Sequence, residues 1–189
     1  MVRTFVALVI PKPWIDYLAQ VEQDLAGKMS GLSWVKPDNM HITVRFLGDL
    51  GDSGVRRAAD SVRRGAQSHH AFPARLGAPG AFPSLDRPRI LWAGLSEGAD
   101  VAIALAKSIN LGLKHDGFGP PDKPFRPHIT LARVRERSQG VEAFRRYAPP
   151  LPPEGAVLDR IVVMKSDLHP AGARYTPLEE IRLRTPGAS

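Results

Sequence analysis

Two copies of one four-residue pattern, histidine-apolar-threonine-apolar, lie far apart in this chain, at 41–44 and 128–131. In an extended strand the side chains alternate between two faces, so each copy presents its histidine and threonine on the same face. The two apolar residues of each copy then point to the opposite face. If the two strands lie side by side around a pseudo-two-fold axis, two imidazoles face one groove, with a hydroxyl beside each. The repeat therefore predicts a paired-strand groove.

The residue types in this repeat are suited to the cleavage of a phosphodiester. Histidine has an ordinary pKa of roughly 6.5, so a neutral base and a protonated acid can coexist near neutral pH. One of His41 and His128 would deprotonate the nucleophile, and the other would protonate the leaving oxygen. Thr43 and Thr130 would donate hydrogen bonds to the phosphate oxygens, although threonine is also simply common in strands. Identical contexts for both pairs favour the catalytic interpretation.

Composition narrows the class of protein further. The chain has 189 residues, the usual size of a single domain, and we expect one domain over 1–189. It has no cysteine, which excludes disulfides, thiolate metal sites and cysteine nucleophiles, and which fits a reducing compartment such as the cytoplasm. Its formal charge of +7 favours a polyanionic partner, but free use of arginine would give the same charge. The apolar run 5–10 is too short to span a membrane, so no membrane association is expected.

The spacing of apolar and turn-forming residues predicts the order of strands and helices. Strands are expected at 3–10, 33–35, 40–47, 126–134 and within 72–95, where 90–92 is the clearest. A hairpin is expected from 157–168 and 175–184 around a turn at 169–172. Helices are expected at 14–25, 53–66, 101–113 and 140–147, the second with an exposed basic face. Because strand-helix-strand-strand occurs twice, we predict an α+β fold of two similar antiparallel lobes, with helices outside and a groove between them.

Ordered blocks of sequence around both motifs resemble the 2H phosphoesterase superfamily, and most closely its RNA 2′,3′-cyclic phosphodiesterase branch, historically called 2′-5′ RNA ligases. The blocks that carry the resemblance are TFVAL at 4–8, WVKPDNMHIT at 34–43, FLGD at 46–49, PRILWAGL at 88–95, FRPHITLAR at 125–133, and SDL at 166–168 followed by Gly172 and Tyr175. They cover nearly the whole chain in order, which makes the resemblance far more specific than either tetrapeptide alone.

This resemblance implies a bilobal LigT-like fold that hydrolyses a terminal RNA 2′,3′-cyclic phosphate to a 2′-phosphomonoester. It implies neither a metal nor another cofactor. Carried over by position, His41 would be the proton donor and His128 the proton acceptor. The expected partner is RNA with a cyclic phosphate end, tRNA fragments among the possibilities, and the expected state is a monomer.

Five further residues are expected to contact the substrate. Arg45 departs from the branch, which often has a small or apolar residue there; strand alternation places it on the face of His41 and Thr43. Arg133 is the best charged partner for a phosphate, but alternation puts it opposite Thr130 unless a bulge re-aims it. Arg126 precedes the second motif. The remaining two, Phe125 and Tyr175, would stack on a base or fill the core.

Several alternatives share these residues. A linear 2′-5′ linkage or a small cyclic nucleotide would use the same histidine pair, and the pocket walls would decide between them. A basic RNA-binding module without turnover is a different class, which the two intact motifs disfavour. A metal site would need clustered carboxylates, and Asp38, Asp49 and Asp52 do not form such a set.

Overall fold

The computed structural model describes residues 1–147, 152–169, 172–185 and 187. Its strands are β1 Val2–Leu8, β2 Ser30–Trp34, β3 Ile42–Leu50, β4 Phe72–Phe82, β5 Ile90–Glu97, β6 His128–Gln139, β7 Ala156–Leu158, β8 Arg160–Asp167 and β9 Arg174–Arg182. Its helices are α1 Lys12–Ala26, α2 Asp52–Ala66, α3 Ala99–His115 and α4 Val141–Arg146. A single 3-10 turn, Pro37–Asn39, precedes β3.

All the strands pair antiparallel, in the order β7-β4-β5-β6-β3-β1-β8-β9, and β2 pairs with β6 beside this path. The sheet has two halves, because β3 and β6 share only the register pair Ile42 and Ile129. One half contains β2, β4, β5, β6 and β7, and the other contains β1, β3, β8 and β9. The predicted α+β fold, with antiparallel halves flanking a groove, is confirmed.

The core lies on one face of this sheet, where α1, α2 and α3 cover it. Apolar residues of α1 at Trp14, Leu18, Val21 and Leu25 are buried at the spacing that the sequence predicted. Helices α2 and α3 pack closely, since a Cβ at Gly65 would lie 2.7 Å from Ile109 Cα. The arginines of α2 are exposed, as expected. Both motif strands therefore have helices behind them and an open face in front.

Some strand boundaries differ from the predicted ones. The predicted strand 157–168 is two strands, because the chain leaves β4 after β7 and joins β1 at β8. This crossing between sheet halves occurs around Asp159, within a continuous run of apolar and polar residues that carries no turn signal. The predicted hairpin of β8 and β9 is confirmed by its pairing, and residues 170 and 171 of its turn lie outside the described residues. Within the described chain, no helix combines the length and apolar character that crossing a membrane requires.

Candidate active site

The two motifs meet at the boundary between the sheet halves. Ile42 and Ile129 pair across β3 and β6, and both are fully buried against the helices. The residues on either side of each isoleucine face the opposite way, toward the open face of the sheet. These residues are His41, Thr43, His128 and Thr130, and all four are partly exposed. The structure thus gathers both histidine-threonine pairs on one surface.

Backbone carbonyls select the same tautomer for both imidazoles. His41 Nδ1 lies 2.6 Å from Asn39 O, and His128 Nδ1 lies 2.6 Å from Arg126 O. A carbonyl oxygen only accepts a hydrogen bond, so each Nδ1 carries the proton, and each Nε2 of a neutral ring has a free lone pair. Thr43 Oγ1 lies 2.8 Å from His41 Nε2 and donates its hydroxyl proton to it. The working nitrogen of both rings is therefore Nε2.

Two aromatic rings enclose the His41 imidazole. The Phe5 and Tyr175 ring centroids lie 5.0 Å and 5.4 Å from that of His41. Burial lowers the pKa of His41 from its ordinary 6.5 to about 4, with smaller contributions from the positive charges of Arg133 and His128. The hydrogen bond to its backbone carbonyl raises the pKa and offsets part of this effect. His41 is therefore neutral in the free protein at neutral pH.

The His128 imidazole is enclosed in the same way from the other half. The ring centroids of Phe82 and Trp92 lie 5.0 Å and 6.3 Å from it. Burial lowers the pKa of His128, and the charge of Arg133 lowers it further, while the carbonyl bond opposes both. The Trp92 indole fits over Gly80, where a Cβ would come within 2.3 Å of the ring. Among the described residues, Trp92 Nε1 is buried without a hydrogen-bond partner.

A β-bulge brings Arg133 to the histidine face. In β6 the register skips Leu131, because Thr130 pairs with Trp92 while Arg133 pairs with Ile90. Trp92 and Ile90 lie two residues apart and share a face, so Thr130 and Arg133 share it too. From the sequence, Arg133 could reach the site only if a bulge re-aimed it, and the structure contains that bulge.

A matching bulge turns Arg45 away from the histidine face. In β3 the register skips Val44, and Thr43 and Arg45 pair with consecutive residues of β1. Consecutive residues of a strand face opposite sides, so Arg45 lies on the helix side of the sheet. The prediction that Arg45 shares a face with His41 and Thr43 is wrong, because alternation was counted without the bulge.

The Arg45 guanidinium is hydrogen-bonded to other residues of the protein. It is only 7% exposed. Its Nη1 donates to Asn110 Oδ1 of α3 at 2.9 Å, and its Nη2 donates to Gly119 O. Burial lowers the pKa of Arg45, and the nearby Asp122 carboxylate raises it. Arg45 therefore borders the site as an internal link between β3, α3 and the segment that follows α3.

Phe46 is a site residue that the sequence reasoning missed. It pairs with Phe5, whose ring centroid lies 5.8 Å away, and it is 54% exposed. The bulge that turns Arg45 away brings Phe46 to the face of His41. Phe46 follows Thr43 by three residues, as Arg133 follows Thr130. One bulge in each motif strand therefore explains why both side chains face the same way as the threonine before them.

A cavity of about 590 Å³ lies in front of the motif strands. It is lined by Thr43, Val44, Arg45, Phe46, Phe82, Ile90, Pro121, Asp122, Lys123, Pro124, Phe125, Arg126, His128, Thr130 and Arg133. Two of the predicted residues stand just outside this lining: His41 is hydrogen-bonded to Thr43, and Tyr175 packs on the His41 ring. Phe125 lines the cavity and also packs against the core. A cavity of this size suits a nucleotide-sized ligand.

Cationic side chains dominate the charge of the lining. Lys123, Arg126 and Arg133 are exposed there, and within the described ranges none of them pairs with a carboxylate. The acidic residue in the lining is Asp122, which lies near the charge of Arg45. Unpaired cations around a concave surface favour a bound anion. Among the residues that the structure describes, no three His, Cys, Asp or Glu side chains are grouped as metal ligands.

Comparison with known proteins places this geometry in context. The family model described as LigT like Phosphoesterase matches residues 8–92 and 94–175. A protein of Aquifex aeolicus named RNA 2′,3′-cyclic phosphodiesterase is 31% identical over 186 residues, covering 97% of this chain and 98% of the relative. A protein of the same name from Archaeoglobus fulgidus is 32% identical over 177 residues, covering 93% of this chain and 97% of the relative.

Solved structures share the fold. The crystal structure of TT0787 of Thermus thermophilus superposes with a TM-score of 0.83 at 28% identity, covering 97% of this chain and 99% of that one. Escherichia coli LigT complexed with 3′-AMP superposes with a TM-score of 0.74 at 23% identity, covering 96% and 97% of the two chains. The second likeness is one of fold alone.

Proposed function

This chain belongs to the LigT-like phosphoesterase family, and from that membership and the site we propose that it is an RNA 2′,3′-cyclic phosphodiesterase. The proposed reaction hydrolyses a terminal 2′,3′-cyclic phosphate to a 2′-phosphomonoester, without a metal, by acid and base catalysis between His41 and His128. The observation that carries the proposal is the common orientation of the two imidazoles. Each has its Nε2 directed away from the backbone carbonyl that fixes Nδ1, and Thr43, Thr130 and Arg133 lie on the same open face of the sheet.

The reaction requires one proton to be removed and one to be supplied. A water oxygen attacks phosphorus as the bond from phosphorus to the 3′-oxygen breaks. His128 Nε2 takes the proton of the water, and protonated His41 Nε2 delivers a proton to the departing 3′-oxygen. The 2′-oxygen keeps the phosphate, and proton exchange with solvent returns the two histidines to their starting states.

The surroundings of the two Nε2 atoms support this division of roles. His128 Nε2 accepts no hydrogen bond from the described residues, so its lone pair is available to a water in the cavity. The His41 lone pair accepts the Thr43 hydroxyl instead. Once His41 is protonated, its Nε2 can no longer accept from Thr43, so the Nε2 proton is available to the leaving oxygen and the threonine hydroxyl proton becomes free to bind a phosphate oxygen. Protonation of the acid thereby prepares a donor for the phosphate.

A bound phosphodiester anion is needed for His41 to act as the acid near neutral pH. Burial and the Arg133 charge lower the pKa of His41 to about 4 in the free protein. A negative charge close to the ring favours the imidazolium and raises this pKa. The substrate would thus charge its own proton donor, while Arg133 and Thr130 hold the non-bridging oxygens.

The walls of the cavity are suited to the end of a single RNA strand. Proteins commonly hold unpaired bases by stacking them on aromatic rings. Phe46 and Phe125 line the cavity, and Tyr175 stands beside His41. We propose a monomer acting on RNA ends, tRNA fragments among them. The lack of cysteine fits action in the cytoplasm.

The direct test uses an oligoribonucleotide ending in a 2′,3′-cyclic phosphate, with EDTA present. The expected product is the 2′-phosphate, and His41→Ala and His128→Ala should each lower kcat by about 10²- to 10⁴-fold. His70→Ala, at an exposed position after α2 that pairs with Arg184, is the matched control and should retain the wild-type rate. Binding without turnover would indicate an RNA-binding module, and inhibition by EDTA would refute metal independence. Faster turnover of 2′-5′ linkages or small cyclic nucleotides would reassign the substrate.

A further inference from the structure

We propose that Arg45 is a positioning residue that anchors the 119–126 segment as a wall of the cavity and so determines how tightly the substrate binds. This inference rests on the proposed function for its substrate, and on the geometry of Arg45 for everything else. The segment includes Lys123, Phe125 and Arg126, which line the cavity. Arg45 also borders the cavity, but its guanidinium donates to Asn110 and Gly119, so it would act on the substrate through the segment.

The location of Arg45 gives it this role. The bulge at Val44 turns the side chain onto the helix side, where it is almost fully buried. A buried guanidinium is tolerated when its donors are satisfied, and Arg45 donates to Asn110 Oδ1 and Gly119 O. The Asp122 carboxylate lies close enough to interact with its charge. One side chain therefore links the motif strand to α3 and to the segment beyond it.

Apart from Phe125, which packs against the core, the segment has few other attachments. Of the described residues, only Arg45 and His128 make hydrogen bonds to 119–127: Arg45 to Gly119 O and His128 Nδ1 to Arg126 O. The segment forms no strand pair. Arg45 thus holds the start of the wall, and the second catalytic motif holds its end.

The wall itself is stiff, so a shift at its start is transmitted along it. Prolines occupy positions 120, 121, 124 and 127, and each proline fixes its own φ angle. When a stiff segment is released at Gly119, the part between Gly119 and Phe125 shifts together, and Lys123 moves with it. The two histidines are held by β3 and β6 and would stay in place. Loss of the anchor should therefore weaken substrate binding more than it slows the chemical step.

The test compares Arg45→Met and Arg45→Lys with two controls. Methionine retains much of the buried side-chain volume and removes both donors, whereas lysine keeps the charge but cannot satisfy two diverging acceptors as the guanidinium does. Asn110→Ala removes the link to α3 and leaves the bond to Gly119. Val62→Ala removes volume at a fully buried position of α2 and lowers stability without removing a hydrogen bond to the wall.

The steady-state rates with the cyclic phosphate substrate should separate anchoring from general destabilisation. We expect Arg45→Met to raise KM about tenfold, the equivalent of one lost net hydrogen bond, with kcat changed less than about threefold. Arg45→Lys should have a KM between those of Arg45→Met and the wild type. Asn110→Ala and Val62→Ala should keep KM near the wild-type value. Unchanged KM in Arg45→Met would overturn the inference while leaving the proposed function intact.

Nuclear magnetic resonance relaxation supplies a readout that does not depend on catalysis. The backbone order parameters of Asp122, Lys123, Phe125 and Arg126 should be lower in Arg45→Met than in Val62→Ala, at a temperature where both are folded. Equal order parameters in the two variants would overturn the anchoring role. If the wild-type protein fails to hydrolyse any cyclic phosphate, the proposed function is wrong, and the relaxation measurement still decides whether Arg45 holds the wall.

Discussion

Acidification from neutral pH should destabilise this protein through His41. The unfolded chain binds a proton at His41 with a pKa near 6.5, whereas the folded protein binds it only near pH 4. Between these values the unfolded state holds more protons, so stability falls as the pH falls. The lowered pKa of His128 acts in the same direction. The lowered pKa of Asp116, about 2, affects stability in a separate window below pH 3.8.

The size of this effect follows from the difference between the two pKa values. Each pKa unit corresponds to about 1.4 kcal/mol, so the His41 shift from 6.5 to about 4 predicts a loss of about 3 kcal/mol between pH 7 and pH 4. His41→Gln removes the titrating group and keeps a polar side chain of comparable size. The variant should therefore lose less unfolding free energy than the wild type between pH 7 and pH 4, and the difference between the two losses should approach about 3 kcal/mol.

Urea unfolding at a series of pH values between 7 and 4 measures this directly. Parallel curves of unfolding free energy against pH for wild type and His41→Gln would refute the argument, because the imidazole would then titrate alike in both states. Nuclear magnetic resonance of the His41 ring should give a midpoint near pH 4, and inorganic phosphate should raise it. A midpoint that phosphate leaves unchanged would contradict the proposed charging of the acid by its substrate.

Three substitutions probe the residues that surround the motifs. Arg133→Met should raise the pKa of both histidines, and it should reduce the slope of log affinity against log salt by about one, measured by RNA titration; an unchanged slope would mean that Arg133 contacts no phosphate. Phe46→Ala should weaken binding of an RNA end by about 1–3 kcal/mol without lowering Tm, because the ring is 54% exposed; equal affinity would exclude a stacking role. Gly80→Ala should cost about 1–3 kcal/mol in unfolding free energy and lower kcat, since its Cβ would meet the Trp92 ring at 2.3 Å; wild-type values of both would show that the indole yields freely.

The sequence predicts the parts of the site that depend on short-range periodicity. Alternation along a strand places His41 with Thr43 and His128 with Thr130, and the structure shows both pairs on one face. The helix of α1 follows in the same way from apolar spacing. These features depend only on the local geometry of a strand or a helix. That geometry can be predicted from the pattern of residues within one segment of the sequence.

Features that depend on pairing between distant strands were beyond the sequence. The bulge at Val44 is visible only in the register between β3 and β1, so strict alternation misplaced Arg45. The His128 ring is enclosed by Phe82 and Trp92, which come from a separate hairpin of β4 and β5. Only the pairing of β5 with β6 brings these two rings to the histidine. The break between β7 and β8 reflects a change of partner strand, which leaves no local signal.

The two motifs are alike, so the direction in which a substrate lies between them must come from residues outside them. One extra residue after each threonine shifts the alternation, and the residue three positions beyond each threonine then faces the groove. That residue is the aromatic Phe46 in one half and the cationic Arg133 in the other. A base gains by stacking on the first, and a phosphate gains by approaching the second, so a nucleotide fits the groove better in one direction than in the other. Because that direction would determine which imidazole meets the attacking water, the proposed assignment of acid and base rests on Phe46 and Arg133 as well as on the histidines.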